Sequence, residues 1–161
     1  MLPGGIDLEG RPVRCGDRTR GWIDKEMQDV LHALMWVALG SALGGPSRYF
    51  VSGVVGRHVG ETFPWGTMVV NVSGAFVIGF VAAAASIDGL LPMPSAWHLG
   101  ATGFLGAYTT VSSFSLQTMA LVRDGQILKA GGNVVLSLFL CLSAVALGFG
   151  IGAFSLGAGP A

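Results

Sequence analysis

Four long apolar stretches divide the chain, over residues 31–55, 64–86, 97–122 and 127–155, with short polar connections between them. Each stretch supplies the ~20 residues that a helix rising 1.5 Å per residue needs to cross the hydrocarbon core. The pattern therefore predicts an all-α membrane protein with four transmembrane helices. The connections run from Gly56 to Phe63, from Ile87 to Ala96 and from Arg123 to Gln126, and none has room for an enzyme domain. Residues 1–29 break the pattern: they hold glycine, proline and mixed charge with no sustained apolar run, which reads as a mobile tail. They lack the short apolar core and small-residue cleavage site of a secretory signal. Trp22, Ile23, Met27, Val30 and Leu31 recur at roughly helical spacing, so the tail's end reads as an amphipathic lead-in to the first helix; Met27 is an alternative start. The organisation expected is a polar tail over 1–29, a four-helix transmembrane domain over 30–156 and a short C-terminal tail over 157–161.

Composition sharpens this reading. Charged residues are 11% of the chain, less than half of what a soluble domain carries, so its surface faces lipid. Nine basic and nine acidic residues cancel to a formal net charge of zero, which removes the electrostatic footprint of a nucleic-acid binder. Cys15 lies in the polar tail and Cys141 deep in an apolar run, a placement unsuited to a disulfide. Orientation follows Lys and Arg near the helix ends. Arg57, Arg123 and Lys129 fall on one side and Lys25 with the more distant tail arginines on the other, a weak bias. A chain inserted both ways builds an antiparallel homodimer; a single orientation set by the tail is the plainer alternative.

Polar side chains inside the bilayer need a partner or a wet path, which makes them the first place to look for function. Helix 1 carries Ser41, the close-packing spacing Gly40 to Gly44, and Arg48, which serves either as an anion-attracting charge at a vestibule or as a packing and headgroup anchor. Asn71 lies seven residues beyond Pro64, about 10 Å into helix 2, where its amide can donate to an anion or bond a neighbouring helix. Helix 3 is the unusual one. From Thr109 to Thr118 seven side chains bear a hydroxyl or an amide, and this run behind Gly103 and Gly106 marks a helix broken at mid-membrane. On the second half Thr110, Ser113 and Gln117 share one face, and Val111, Phe114 and Thr118 the next. Helix 4 places Asn133, Ser137 and Cys141 in one stripe. No Asp, Glu, His or Lys occupies the central part of any span, which disfavours proton-coupled pumping. No nucleophile with its base and no metal-ligand cluster suggests an enzyme.

Three motifs then coincide: Gly-Gly-Pro-Ser-Arg48-Tyr, Phe-Pro-Trp-Gly-Thr-Met-Val-Val-Asn71-Val-Ser-Gly-Ala-Phe, and Gly103-Phe-Leu-Gly106-Ala-Tyr-Thr-Thr-Val-Ser-Ser-Phe114. In this order, across residues 31–155, they strongly resemble the Fluc/CrcB fluoride channels. The resemblance implies an antiparallel, dual-topology dimer of four-helix subunits in the cell inner membrane, passing fluoride out of the cytoplasm through two pores. It implies pore roles for Asn71, Ser112, Ser113 and Phe114. It also implies a structural sodium ion at the dimer centre, held by backbone carbonyls of Gly106 and Thr109 from both subunits. Val111 departs from the family, which has a phenylalanine there, and Ala107 replaces a frequent glycine. The departure at Val111 implies slower conduction or a heterodimer with a paralogue carrying the missing ring. The rival readings are a small multidrug-type transporter, whose resemblance rests on a membrane glutamate in helix 1 that this chain lacks, and a non-conducting partner subunit.

Overall fold

The computed structural model describes residues 15–60, 62–86 and 94–157, with side chains in the first helix from residue 23 onward. Among these residues the fold is all-helical. α1 runs Cys15–Val59, α2 Trp65–Ala85, α3 Pro94–Trp97, α4 Gly106–Tyr108, α5 Val111–Arg123 and α6 Ile127–Leu156, and a π-helical segment, His98–Leu105, joins α3 to α4. Three helices are long and apolar enough to cross a membrane: Ile23–Val59 within α1, α2 and α6. The third apolar stretch takes a different course, helical to Tyr108, extended through Thr109 and Thr110, and helical again from Val111.

α1 begins earlier than the polar pattern suggests, so residues 15–29 of the expected tail lie within this helix. Nucleation is the costly step of helix formation, and extension backward from an apolar span adds one bond for each residue fixed. No proline intervenes between Pro12 and Pro46 to stop it. At 45 residues α1 is about 67 Å long, more than twice the hydrocarbon thickness. Residues 1–14, residues 87–93 with Asp88 and Pro92, and residues 158–161 lie outside the described residues. Gly157, in the left-handed conformation at φ 72°, ends α6.

Small residues set the packing. α2 and α6 form the most extensive interface, along a stripe of α6 that buries Ala130, Asn133, Ser137, Ala144, Gly148 and Gly152. A Cβ at Gly148 would overlap the Phe76 carbonyl oxygen, so the two backbones touch. α1 lies against the π-helical segment in the same way: a Cβ at Gly44 would overlap the Phe104 carbonyl oxygen. The Gly40 to Gly44 spacing is thus a packing device. The third path leans on α1 through its first half and reaches α6 through its second, so the extended residues fall where it crosses α2.

Candidate functional site

The interruption at Thr109 and Thr110 organises the site. Thr109 turns extended at ψ 159° and Thr110 at φ −153°, ψ 123°, so the helical ladder stops and restarts across two residues. Thr110 caps α5, its Oγ1 accepting the Ser113 N–H at 3.2 Å. Asn71, from the middle of α2, takes the rest of the Thr110 backbone. Its Nδ2 donates to the Thr110 carbonyl oxygen at 2.9 Å and its Oδ1 accepts the Thr110 N–H at 2.8 Å. An amide carries one donor face and one acceptor face, so it can replace both helical partners that an extended residue has lost. Beside it the Ser73 hydroxyl meets the Tyr108 hydroxyl at 3.0 Å. Gly74 leaves space for the Thr109 methyl group, which a Cβ there would strike.

These bonds have a consequence for the carbonyls upstream. In a continued helix the Thr110 N–H would donate to Gly106 O and the Ser113 N–H to Thr109 O. The first is given to Asn71 and the second to the Thr110 hydroxyl. Gly106 O and Thr109 O therefore lose their helical donors, and Gly106 itself is exposed. The Thr109 side chain turns away, donating to Leu105 O at 3.0 Å.

The remaining side chains line three connected regions. A cavity of about 190 Å³ is enclosed by Arg48, Tyr49, Ser52, Thr67, Thr110 and Ser113, and gathers one guanidinium and four aliphatic hydroxyls. It shares Tyr49, Ser52, Thr67 and Ser113 with a wider groove of about 600 Å³, which Arg57 and Gln117 also border. The buried Gln117 Oε1 has no hydrogen-bond partner. On the other side of the break, Asn71, Gly106, Thr109, Val111 and Cys141 border an apolar cavity of about 440 Å³.

The structure thus brings Arg48 and Ser113 to one cavity, and Asn71, Gly106, Thr109 and Val111 to another. Ser112 is exposed, its hydroxyl 3.1 Å from Thr110 Oγ1. Val111 is 77% exposed, so neither residue is covered by the rest of the chain. Phe114 is half-buried and borders none of these spaces; its carbonyl accepts from Thr118 Oγ1 at 2.7 Å, and that hydroxyl accepts from Asn133 Nδ2 at 2.8 Å. Asn133 therefore ties α6 to the turn that carries Phe114. Sequence reasoning passed over Ser52 and Thr67. Ser52 follows Arg48 by four residues and so shares its face, a signal that was present; Thr67 carries no such spacing.

Comparison with known proteins identifies the family. A family model described as "CrcB-like protein, Camphor Resistance (CrcB)" matches residues 35–149. A protein of Rhodopseudomonas palustris named "Fluoride-specific ion channel FluC 2" is 59% identical over 124 residues, covering 76% of this chain and 95% of the relative. One of Bradyrhizobium diazoefficiens with the same name is 54% identical over 121 residues, covering 74% of this chain and 88% of the relative. "Fluoride-specific ion channel FluC" of Opitutus terrae is 56% identical over 115 residues, covering 71% and 87%. These relatives are named as ion channels, not as enzymes. With a family model that spans most of its length, this chain is a membrane protein of the CrcB family.

Proposed function

We propose that this chain is a fluoride-selective channel, working as an antiparallel, dual-topology dimer of four-span subunits in the inner membrane and letting fluoride leave the cytoplasm passively. The observation that carries the reading is the interrupted third path, taken as one broken transmembrane helix. Broken backbone at membrane depth persists only where protein, water or an ion satisfies it. Asn71 satisfies Thr110. The oxygens of Gly106 and Thr109, deprived of their helical donors, suit a monovalent cation, because neutral carbonyls hold such an ion without a carboxylate. The residues present therefore fit a structural sodium ion, which the backbone carbonyls of Gly106 and Thr109 of each subunit would hold; it would supply the positive charge that those oxygens lack.

Fluoride is small and surrenders its water only to well-placed donors in a narrow path. Arg48, Arg57 and the hydroxyls of Ser52, Thr67 and Ser113 offer such donors where the 600 Å³ groove narrows to the 190 Å³ cavity. The cations draw the anion in, and the hydroxyls turn to replace its hydration. Ser112 and Val111 present an uncovered half-lining that a second subunit completes, with Phe114 offering the positive edge of its ring. The exposed, aliphatic Val111 favours a variant of this reading in which a paralogue carrying an aromatic residue is the partner. Without a titratable group at mid-membrane, flow follows the membrane voltage and the fluoride gradient. Expression of this chain alone in bacteria stripped of their own fluoride export tests both: restored growth in fluoride is expected of the homodimer, rescue only with a paralogue indicates the heterodimer, and no rescue in either case contradicts the reading.

A further inference from the structure

Beside its buried stripe, α6 borders a groove that lies outside the proposed ion path. It measures about 530 Å³, with Phe63, Trp65 and Lys129 at its rim and Gly132, Leu136 and Phe139 along its wall. The Phe63 and Trp65 rings lie 4.8 Å apart, at the end of α2 where an aromatic pair marks the boundary between headgroups and hydrocarbon. From Lys129 to Phe139 the wall descends ten residues, about 15 Å, the depth of one leaflet. Phe139 is 67% exposed. At the rim the exposed Lys129 reaches the Thr62 carbonyl oxygen only at 3.5 Å, so its ammonium keeps most of its hydrogen-bonding capacity.

A cation at headgroup level above an apolar trough one leaflet deep has the shape and charge of a single ligand. We propose that this groove seats an anionic phospholipid, with one acyl chain along Gly132, Leu136 and Phe139 and the phosphate on Lys129. The inference rests on the membrane placement of the chain and is independent of the ion it conducts. A bulk lipid would need the trough alone; the lysine adds selectivity for negative charge, worth about fivefold in occupancy for one cation at the membrane surface.

The test is native mass spectrometry of the full-length protein in detergent, titrated with phosphatidylglycerol and phosphatidylcholine of equal chain length. The wild type is expected to retain phosphatidylglycerol about fivefold better, and Lys129→Ala to remove that preference. A Cβ at Gly132 meets nothing within 4 Å, so Gly132→Leu is expected to fold and to fill the trough, and retention of both lipids should fall. Fluoride efflux by both variants, measured in parallel, should match the wild type. Equal retention of the two lipids by the wild type, or an unchanged preference in Lys129→Ala, overturns the proposal. So does a Gly132→Leu protein that dissociates into subunits while still retaining phosphatidylglycerol, since the groove would then be a contact between two copies of the chain.

Discussion

Asn71 grips the backbone of Thr110 on both sides, donating to its carbonyl oxygen at 2.9 Å and accepting its N–H at 2.8 Å across 39 positions of sequence. The amide that sequence alone offers as either an ion ligand or a packing group is thus largely committed to holding two extended residues in place. One Nδ2 hydrogen and part of the Oδ1 lone-pair capacity remain. In the proposed fluoride path the guanidinium and hydroxyls of the neighbouring cavity are the anion's donors, and Asn71 is the tie that keeps that path in shape.

Asn71→Asp tests that division of labour. The exchange sets a carboxylate oxygen against the Thr110 carbonyl, losing one hydrogen bond and leaving a partly buried acceptor unpaired, a cost of about 1–3 kcal/mol. Thermal unfolding of the purified protein should shift down and fluoride efflux should fall together. Wild-type efflux and an unchanged midpoint would show that the tie does not hold the break.

Gly148→Ala drives a methyl group into the Phe76 carbonyl and should force α2 and α6 apart, at a cost of about 1–3 kcal/mol. Gly131→Ala, on the same helix, meets open space and should unfold at or above the wild-type temperature. Thermal denaturation of both proteins in one detergent checks the contrast. Equal behaviour would mean that the two backbones do not touch as described.

Val111→Phe restores a ring at an exposed position, so overpacking within the subunit is not expected. An aromatic edge facing the moving anion should speed efflux by about two- to tenfold. Phe114→Ile should slow it by about tenfold or more, since no second ring shares the task. Normal conduction by an intact Phe114→Ile dimer would transfer the role to the hydroxyls of Thr110, Ser112 and Ser113.

Lys and Arg near the helix ends favour neither orientation strongly, so a tag at the C-terminus should be labelled from both faces of sealed vesicles. Labelling from one face only, in vesicles that conduct fluoride, would exclude the antiparallel homodimer.

The sequence showed most plainly what hydrophobicity governs locally. The second and fourth stretches, expected over 64–86 and 127–155, run Trp65–Ala85 and Ile127–Leu156, because an uninterrupted apolar run in lipid has no alternative to a helix. The start of α1 was less legible, since mixed charge signals solvent exposure without saying whether the backbone stays helical. On the third path, hydroxyl density falls on ten residues that include Thr109 and Thr110, but which two become extended depends on α2, where Gly74 makes room and Asn71 supplies both hydrogen-bonding faces. Arg48 carried two readings in sequence; it lines one polar cavity with Ser52, Thr67 and Ser113, which lie on α1, α2 and α5. Only the Arg48 to Ser52 spacing leaves a periodic trace; the approach of Thr67 and Ser113 from two other helices leaves none.

The proposed conduction of fluoride over chloride is tested most directly by ion efflux from liposomes reconstituted with the purified protein, followed with fluoride- and chloride-selective electrodes. On collapse of the potassium gradient with valinomycin, the account predicts rapid release of fluoride to a protein-dependent plateau while chloride stays trapped. Release of both anions alike, or of neither from vesicles that hold folded dimer, would contradict it.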